Sequence, residues 1–335
     1  MDFIELTNEQ RRQTIDSLQA HEAFWAASDE LRRRFAGSMR WVTRKGRDYL
    51  HRKRGKQERS LGPRGADTES RYEAFIQGRE RCRADLEVLS ARLDQMAPVN
   101  RALNLGRVPK LTARILRMLD QQSLLGTHLL VVGTNALFAY EARAGVHLPS
   151  ELLATQDADL LWDVRSRIEL LVPEVRRHGI LALLQKVDHS FRKRGGRDYR
   201  AFNRDGFIVD LIRPLDERVM AAGARRTIGE SDDDLHGVPI DGLTWLLNVP
   251  RFEAVAMAED GYAVRLMTVD PRAFALHKLW VAGREDREPL KRPRDRAQAR
   301  AAADLARRWL GLELDDEALL GLPKEVRGLG GALVQ

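Results

Sequence analysis

The stretch that most constrains this chain runs from His128 to Asp163, HLLVVGTNALFAYEARAGVHLPSELLATQDADLLWD. Leu129 to Val132 is a short apolar run of the kind that forms a buried strand. Gly133-Thr134 interrupts it with a turn, and Asn135 to Arg143 continues with helix-like spacing. A second strand is expected from Thr155 to Trp162, and it carries Asp157 and Asp159. Side chains alternate along a strand, so these two acids share one face while Ala158 and Leu160 take the other. Adjacent carboxylates repel unless a cation sits between them, and a hard, oxygen-seeking ion such as Mg²⁺ meets that need. A third acid, Asp210, lies in the apolar segment Phe207 to Ile212, which is the candidate to pair alongside and complete a two-metal cage. A lone D-x-D is common, and two solvent-facing acids on an edge strand give the same pattern. Three features favour a site: the apolar setting, the third acid, and a strand-to-helix turn whose backbone N–H groups can hold a phosphate.

Composition narrows the remaining choices. The 335-residue length has room for about two domains. Lys and Arg number 56 against 49 Asp and Glu, a net charge of +7 that attracts polyanions without naming one. The single cysteine, Cys82, excludes an internal disulfide and a cysteine-based zinc site, as suits a reducing compartment. No charged-then-apolar leader opens the sequence, and no apolar run approaches the roughly 20 residues of a membrane helix. The expectation is a soluble, cytoplasmic protein with no membrane partner.

The charge is unevenly spread. From Arg32 to Arg59 there are 12 Lys or Arg residues against two acids, Asp48 and Glu58, with Phe35, Trp41 and Tyr49 interleaved. Two readings stand: a solvated basic hairpin whose aromatics pack inward, or a surface that neutralises phosphates and stacks bases, with RNA as the partner. Tyr72 to Met96 is expected to be a helix, because Phe75, Cys82, Leu86, Leu89, Leu93 and Met96 form one apolar stripe. That stripe suits a two-helix hairpin, a homodimer seam or a protein partner, and Cys82 within it is a packing residue. Pro98 is expected to end the helix.

Further along, Leu111 to Leu125 and Arg165 to Arg177 read as helices, and Ile180 to Leu184 as a strand or a helical continuation. His189 to Tyr199 reads as a basic hairpin leading to the Asp210 strand. Residues 216–250 are loop-rich, with a solvated acidic run at Asp232 to Asp234. Asp260-Gly261 between Phe252 to Met257 and Tyr262 to Met267 signals a hairpin. Pro271 opens a helix, a basic loop follows (Arg284, Arg287, Lys291, Arg292, Arg294), and Arg296 to Leu310 is an Ala-rich helix. His189 and His277 have no second histidine at ligand spacing and read as surface or structural residues. The order of elements gives an α+β fold in three regions: a helical, basic N-terminal region (1–110), a core (111–215), and a C-terminal region with a hairpin and helical cap (216–335).

Gly133-Thr134, then Asp157-Ala158-Asp159-Leu160, then Asp210 resembles the polymerase-beta-type nucleotidyltransferase superfamily. The likeness extends over Val132 to Leu137, Thr155 to Leu160, Pro271 to Leu279 and Lys291-Arg292-x-Arg294-Asp295. It is nearest to bacterial nucleotidyltransferase-fold proteins of uncharacterised function and looser to the nucleotidyltransferase toxins of abortive-infection systems. The resemblance implies a mixed sheet with helices, and transfer of a nucleoside monophosphate from an NTP such as ATP to an acceptor hydroxyl with release of pyrophosphate. It implies that Asp157, Asp159 and Asp210 are catalytic and hold two Mg²⁺ ions. Gly133 and Thr134 would cradle phosphates, with Lys278, Arg284 and Lys291 neutralising the triphosphate. RNA, a protein hydroxyl and a small molecule all stay open as acceptor. The rival expectation is a non-catalytic nucleotide- or nucleic-acid-binding regulatory module on the same fold.

Overall fold

The computed structural model describes residues 3–55, 57–166, 172–215, 226–314 and 317–334. They divide into two units, Arg12–Leu103 and Met1–Arg11 together with Asn104–Gln335. The regions 111–215 and 216–335, drawn separately from the sequence, fall within the same unit. The chain opens with strand β1 (Ile4–Glu5) and helix α1 (Asn8–Arg34).

In the Arg12–Leu103 unit an antiparallel meander of β2 (Ser38–Arg44), β3 (Arg47–Arg54) and β4 (Gln57–Pro63) precedes helix α2 (Ala66–Ala102). The basic stretch is therefore three strands rather than a two-stranded hairpin. Its small core joins Phe35, Phe75 and Cys82, with Leu31, Met39 and Ile76 packed around them, so Cys82 is a packing residue. Helix α2 does not stop at Pro98 but runs through it. A proline removes its own N–H from the ladder, yet the next turn is held from outside: Asn100 Oδ1 accepts from Ser17 Oγ at 3.0 Å and from Gln13 Nε2 at 2.8 Å. Those bonds also tie α1 to α2 as a helical hairpin.

The larger unit begins with α3 (Lys110–Gln121) and is built on a mixed sheet. Strand β5 (Leu129–Val132) is buried along its whole length, as its unbroken apolar sequence requires. A single 3₁₀ turn, Gly133–Ala136, leads into α4 (Leu137–Ala144). After β6 (Val146–His147), which pairs with β1, and the short α5 (Ser150–Leu153), the chain returns as β7 (Asp157–Trp162), antiparallel to β5. Helix α6 (Pro173–Val187) and strands β8 (Arg192–Lys193) and β9 (Arg200–Phe202) then lead to β10 (Ile208–Pro214). Strand β10 lies parallel to β7, with β9 antiparallel along its first half and β11 (Val238–Ile240) parallel along its second.

A short helix α7 (Leu243–Leu246) precedes the hairpin β12 (Arg251–Met257) and β13 (Ala263–Val269), which turns at Asp260-Gly261 as its sequence indicated. Helices α8 (Pro271–Gly283) and α9 (Arg292–Arg308) pack on one another, and the buried alanines of α9, Ala299, Ala301, Ala302 and Ala303, keep that helix slim enough to pack closely on its neighbours. Asp270 caps α8 by accepting from the Arg272 N–H at 2.8 Å, with Pro271 in the first turn where no donor is needed. Tyr140 joins three elements: its ring meets Phe252 and Phe274 edge-on, and its hydroxyl donates to the Val269 carbonyl at 2.9 Å. This fixes α4 and α8 against the sheet. Two short helices, α10 (Lys324–Gly328) and α11 (Gly331–Val334), close the chain. The architecture is α+β, and among the described residues no helix is long and apolar enough to cross a membrane.

Two local readings change. The helix expected over Arg165 to Arg177 begins at Pro173, and 167–171 lie outside the described residues. Ile180 to Leu184 continues that helix beyond a break at Gly179 (φ +74°). The second half needs its own cap, and Asp234 supplies it, its carboxylate accepting from the Leu181 N–H at 2.9 Å. Asp234 is therefore buried and structural, unlike the exposed Asp232 and Asp233 beside it. Asp234→Ala is expected to lower the free energy of urea unfolding by about 1–2 kcal/mol, the usual range for a lost cap. Asp232→Ala and Asp233→Ala should each stay within about 0.5 kcal/mol.

Candidate active site

The parallel ladder sets Asp210 opposite Asp159 and Ile208 opposite Asp157. Paired residues on neighbouring strands point to the same face, about 4.8 Å apart, and residues two apart on one strand repeat that face at about 6.6 Å. Asp157, Asp159 and Asp210 therefore project together on one side of the sheet, while Ala158, Val209 and Leu211 go into the core on the other.

The turn after β5 closes on this row. Val132 pairs with Asp159, so Gly133 follows immediately beside that carboxylate. Gly133 has φ +65°, and a Cβ there would stand 2.1 Å from Asp159 Oδ2. Only glycine satisfies both demands. Asn135 Nδ2 donates to the Asp157 carbonyl at 2.7 Å, which ties the turn to β7. Thr134 Oγ1 accepts from Gln298 Nε2 at 3.1 Å and from Arg294 Nη2 at 3.4 Å, both on α9. Gln298 also donates to the Leu152 carbonyl at 2.8 Å, and Arg294 to the Ala154 carbonyl, so the start of α9 is held over the turn and α5.

Charge at the site is unevenly balanced. The Asp159 carboxyl is raised to about 7, first by burial and then by the negative charges of Asp157 and Asp210, with Lys278 and Arg200 opposing the shift. Arg200 on β9 faces Asp210 across the ladder and grips it with both arms, Nε to Oδ1 at 2.7 Å and Nη2 to Oδ2 at 2.6 Å. The Thr155 hydroxyl donates to Asp157 Oδ1. With Asp210 and Asp157 turned to these partners, no three His, Cys, Asp or Glu side chains among the described residues stand in ligating geometry. The donor set is nevertheless three carboxylates on one face. Asp159 is buried beside the charges of Asp157 and Asp210, and a divalent cation would offset both its desolvation and that repulsion, so the residues fit Mg²⁺ chemically.

Lys278, one turn beyond Phe274 on α8, puts Nζ 2.8 Å from the buried Asp295, which also takes Arg287 at 2.6 Å. Its positive charge opposes the upward shift of Asp159. Arg284 instead pairs with Asp241 and Asp286 and lies over the Trp280 ring, and the exposed Lys291 pairs with Glu288. Arg200, Thr155 and Gln298 were not singled out in the sequence. For Arg200 the signal was present in the alternation of Tyr199-Arg200-Ala201-Phe202, which predicts a strand with Tyr199 and Ala201 on one face and Arg200 on the other. His189 is exposed. His277 is enclosed beside Trp280 and depressed to about 4, by burial first and then by the neighbouring Lys278 charge.

A nucleotidyltransferase family model matches residues 110–320 of the chain. No curated protein and no solved structure matches it.

Gly133→Ala is expected to cost at least the roughly 1–2 kcal/mol of a left-handed non-glycine residue and to push Asp159 off its position, read as a lowered unfolding midpoint. His277 adds a pH dependence. Its folded value of about 4 lies below the ordinary 6.5, so the unfolded chain binds more protons in between. Stability is then complete above about 6.5 and declines as pH falls towards 4. Asp159, raised to about 7, contributes the opposite slope over this range and His147, also lowered to about 4, the same one. The His277 contribution is therefore read as a difference: in thermal melts from pH 7 to 4.5, wild type should lose stability relative to His277→Phe as pH falls.

Proposed function

The chain belongs to the nucleotidyltransferase family, and on that premise we propose that it transfers a nucleoside monophosphate from an NTP to an acceptor hydroxyl, aided by Mg²⁺. The observation that carries this reading is the single row of Asp157, Asp159 and Asp210 beside the Gly133 turn. These three carboxylates would hold two Mg²⁺ ions. Once bound, the ions supply neutralisation of the triphosphate and make the acceptor hydroxyl more acidic.

The chain's own residues do the rest. The acceptor oxygen attacks the α-phosphorus, the bond to the β-phosphate's bridging oxygen breaks, and pyrophosphate leaves. Asp210 receives the acceptor's proton, and Arg200 orients its carboxylate. Gly133 leaves its turn without a side chain, so that phosphate oxygens approach the backbone N–H groups. Lys278 and Arg294 supply positive charge around the leaving pyrophosphate, with Gln298 fixing the Thr134 hydroxyl. Lys278 acts from within its ion pair with Asp295, and Arg284 and Lys291 would join only by leaving their present acidic partners.

One observation favours a second reading. Arg200 occupies both oxygens of Asp210, as suits a module that binds nucleotide without turnover. The test is incubation with each α-labelled NTP, Mg²⁺ and total RNA or protein, comparing wild type with Asp157→Ala. Label should move to one acceptor class with the wild type, stop on chelation, and fall by more than about 100-fold in the variant, since changes one shell further out already cost 10–100-fold. Tight NTP binding with no label transferred under any condition would instead establish the non-catalytic module.

A further inference from the structure

We propose that the meander of the Arg12–Leu103 unit carries a phosphate-binding cleft for the backbone of a nucleic acid, built from Arg52, Arg54 and Arg59. Arg52 pairs with Arg59 across β3 and β4, and Arg54 lies two residues further along β3 opposite Gln57. All three guanidinium groups therefore leave the same face of one two-stranded ribbon. They line a cavity of about 640 Å³ together with Gln57 and Glu58.

Their counter-charge is missing. Arg52 Nη2 donates to the Arg34 carbonyl at 2.6 Å and Arg54 Nη2 to the Arg33 carbonyl at 3.0 Å, at the C-terminal end of α1. These are neutral acceptors. Among the described residues none of the three guanidinium groups meets a carboxylate, and Arg52 Nε is buried with no partner. Glu58, the one acid on the cavity wall, is held by Arg40 at 3.0 Å and by His51 at 3.2 Å. Its register partner is Lys53, which puts its side chain on the opposite face of the ribbon. Burial and the charges of Arg54 and Arg59 both disfavour the charged form of Arg52. Three like charges around a concavity, two of them pre-aimed by backbone carbonyls, form a fork array suited to phosphate oxygens.

Surroundings choose among phosphate-bearing partners. The segment from Arg32 to Arg59 carries 12 basic residues against two acids, so positive charge extends well beyond the cleft, as a chain of phosphates requires and a single anion does not. A lipid surface would need an apolar anchor, and among the described residues the exposed large apolar side chains include none between 35 and 63.

The test is anisotropy of a labelled single-stranded RNA of about 12 nucleotides, titrated with full-length protein at several salt concentrations. Neither NTP nor Mg²⁺ is present, so failure here and failure of the transfer reaction are separable. Wild type should bind with log affinity falling linearly with log salt. Arg59→Glu should weaken binding at least about 10-fold and make that slope shallower by about one unit or more. Among the described residues Arg59 has no side-chain partner, so this variant keeps the fold. Arg92→Glu makes the same charge change at an exposed position on α2 outside the cleft, and it should weaken binding less than about 3-fold. Equal losses in both variants, or RNA displaced by millimolar inorganic phosphate, would overturn the proposal in favour of diffuse attraction or a simple anion site. Binding to anionic phosphatidylserine vesicles in place of RNA would overturn it too.

Discussion

The residue-against-residue parallel pairing of β7 with β10 is the constraint on which the site depends. Side-chain direction repeats every two residues, so a slip of one position would turn Asp210 into the core and bring Val209 or Leu211 out beside Asp159. The apolar residues on both strands prevent that slip. Ala158, Leu160, Val209 and Leu211 are fully buried, and exposing them costs far more than placing three acids together. Hydrophobic patterning thus holds the carboxylates where their own electrostatics would keep them apart.

That imposed crowding is answered in layers. Arg200 neutralises Asp210 directly, Thr155 satisfies one oxygen of Asp157, and Asp159 responds by holding its proton to a higher pH. Lys278 contributes from α8, and its position is in turn fixed by Asp295, which binds it together with Arg287. The cations and acids of the C-terminal helices are therefore continuous with the strand site.

Several of these features were legible in the sequence because they rest on local rules. The D-x-D alternation, the glycine after an apolar strand, the Asp260-Gly261 hairpin and the proline opening α8 are each read from a few adjacent residues. The third acid was legible as a candidate only, since adjacency of β7 and β10 is a property of the whole sheet. What escaped is tertiary. Arg200 reaches Asp210 through a cross-strand register, Gln298 reaches Thr134 from 164 residues away, and α2 runs past Pro98 with Asn100 anchored to α1. The basic segment reads as a charge run, but only the pairing of three strands aligns Arg52 with Arg59.

The break at Gly179 has a consequence for how this part of the molecule comes apart. The helix over Pro173–Val187 is two rods, and the amides starting the second are secured by a carboxylate from 53 residues later. Glu230 strengthens the link through its ion pair with Arg176 on the first rod. Loop and helix are thus tied to each other at both rods, so opening the loop uncaps the second rod. Amide exchange in the Ile180 turn should report the opening of the Asp234 loop, with protection appearing and vanishing in both together.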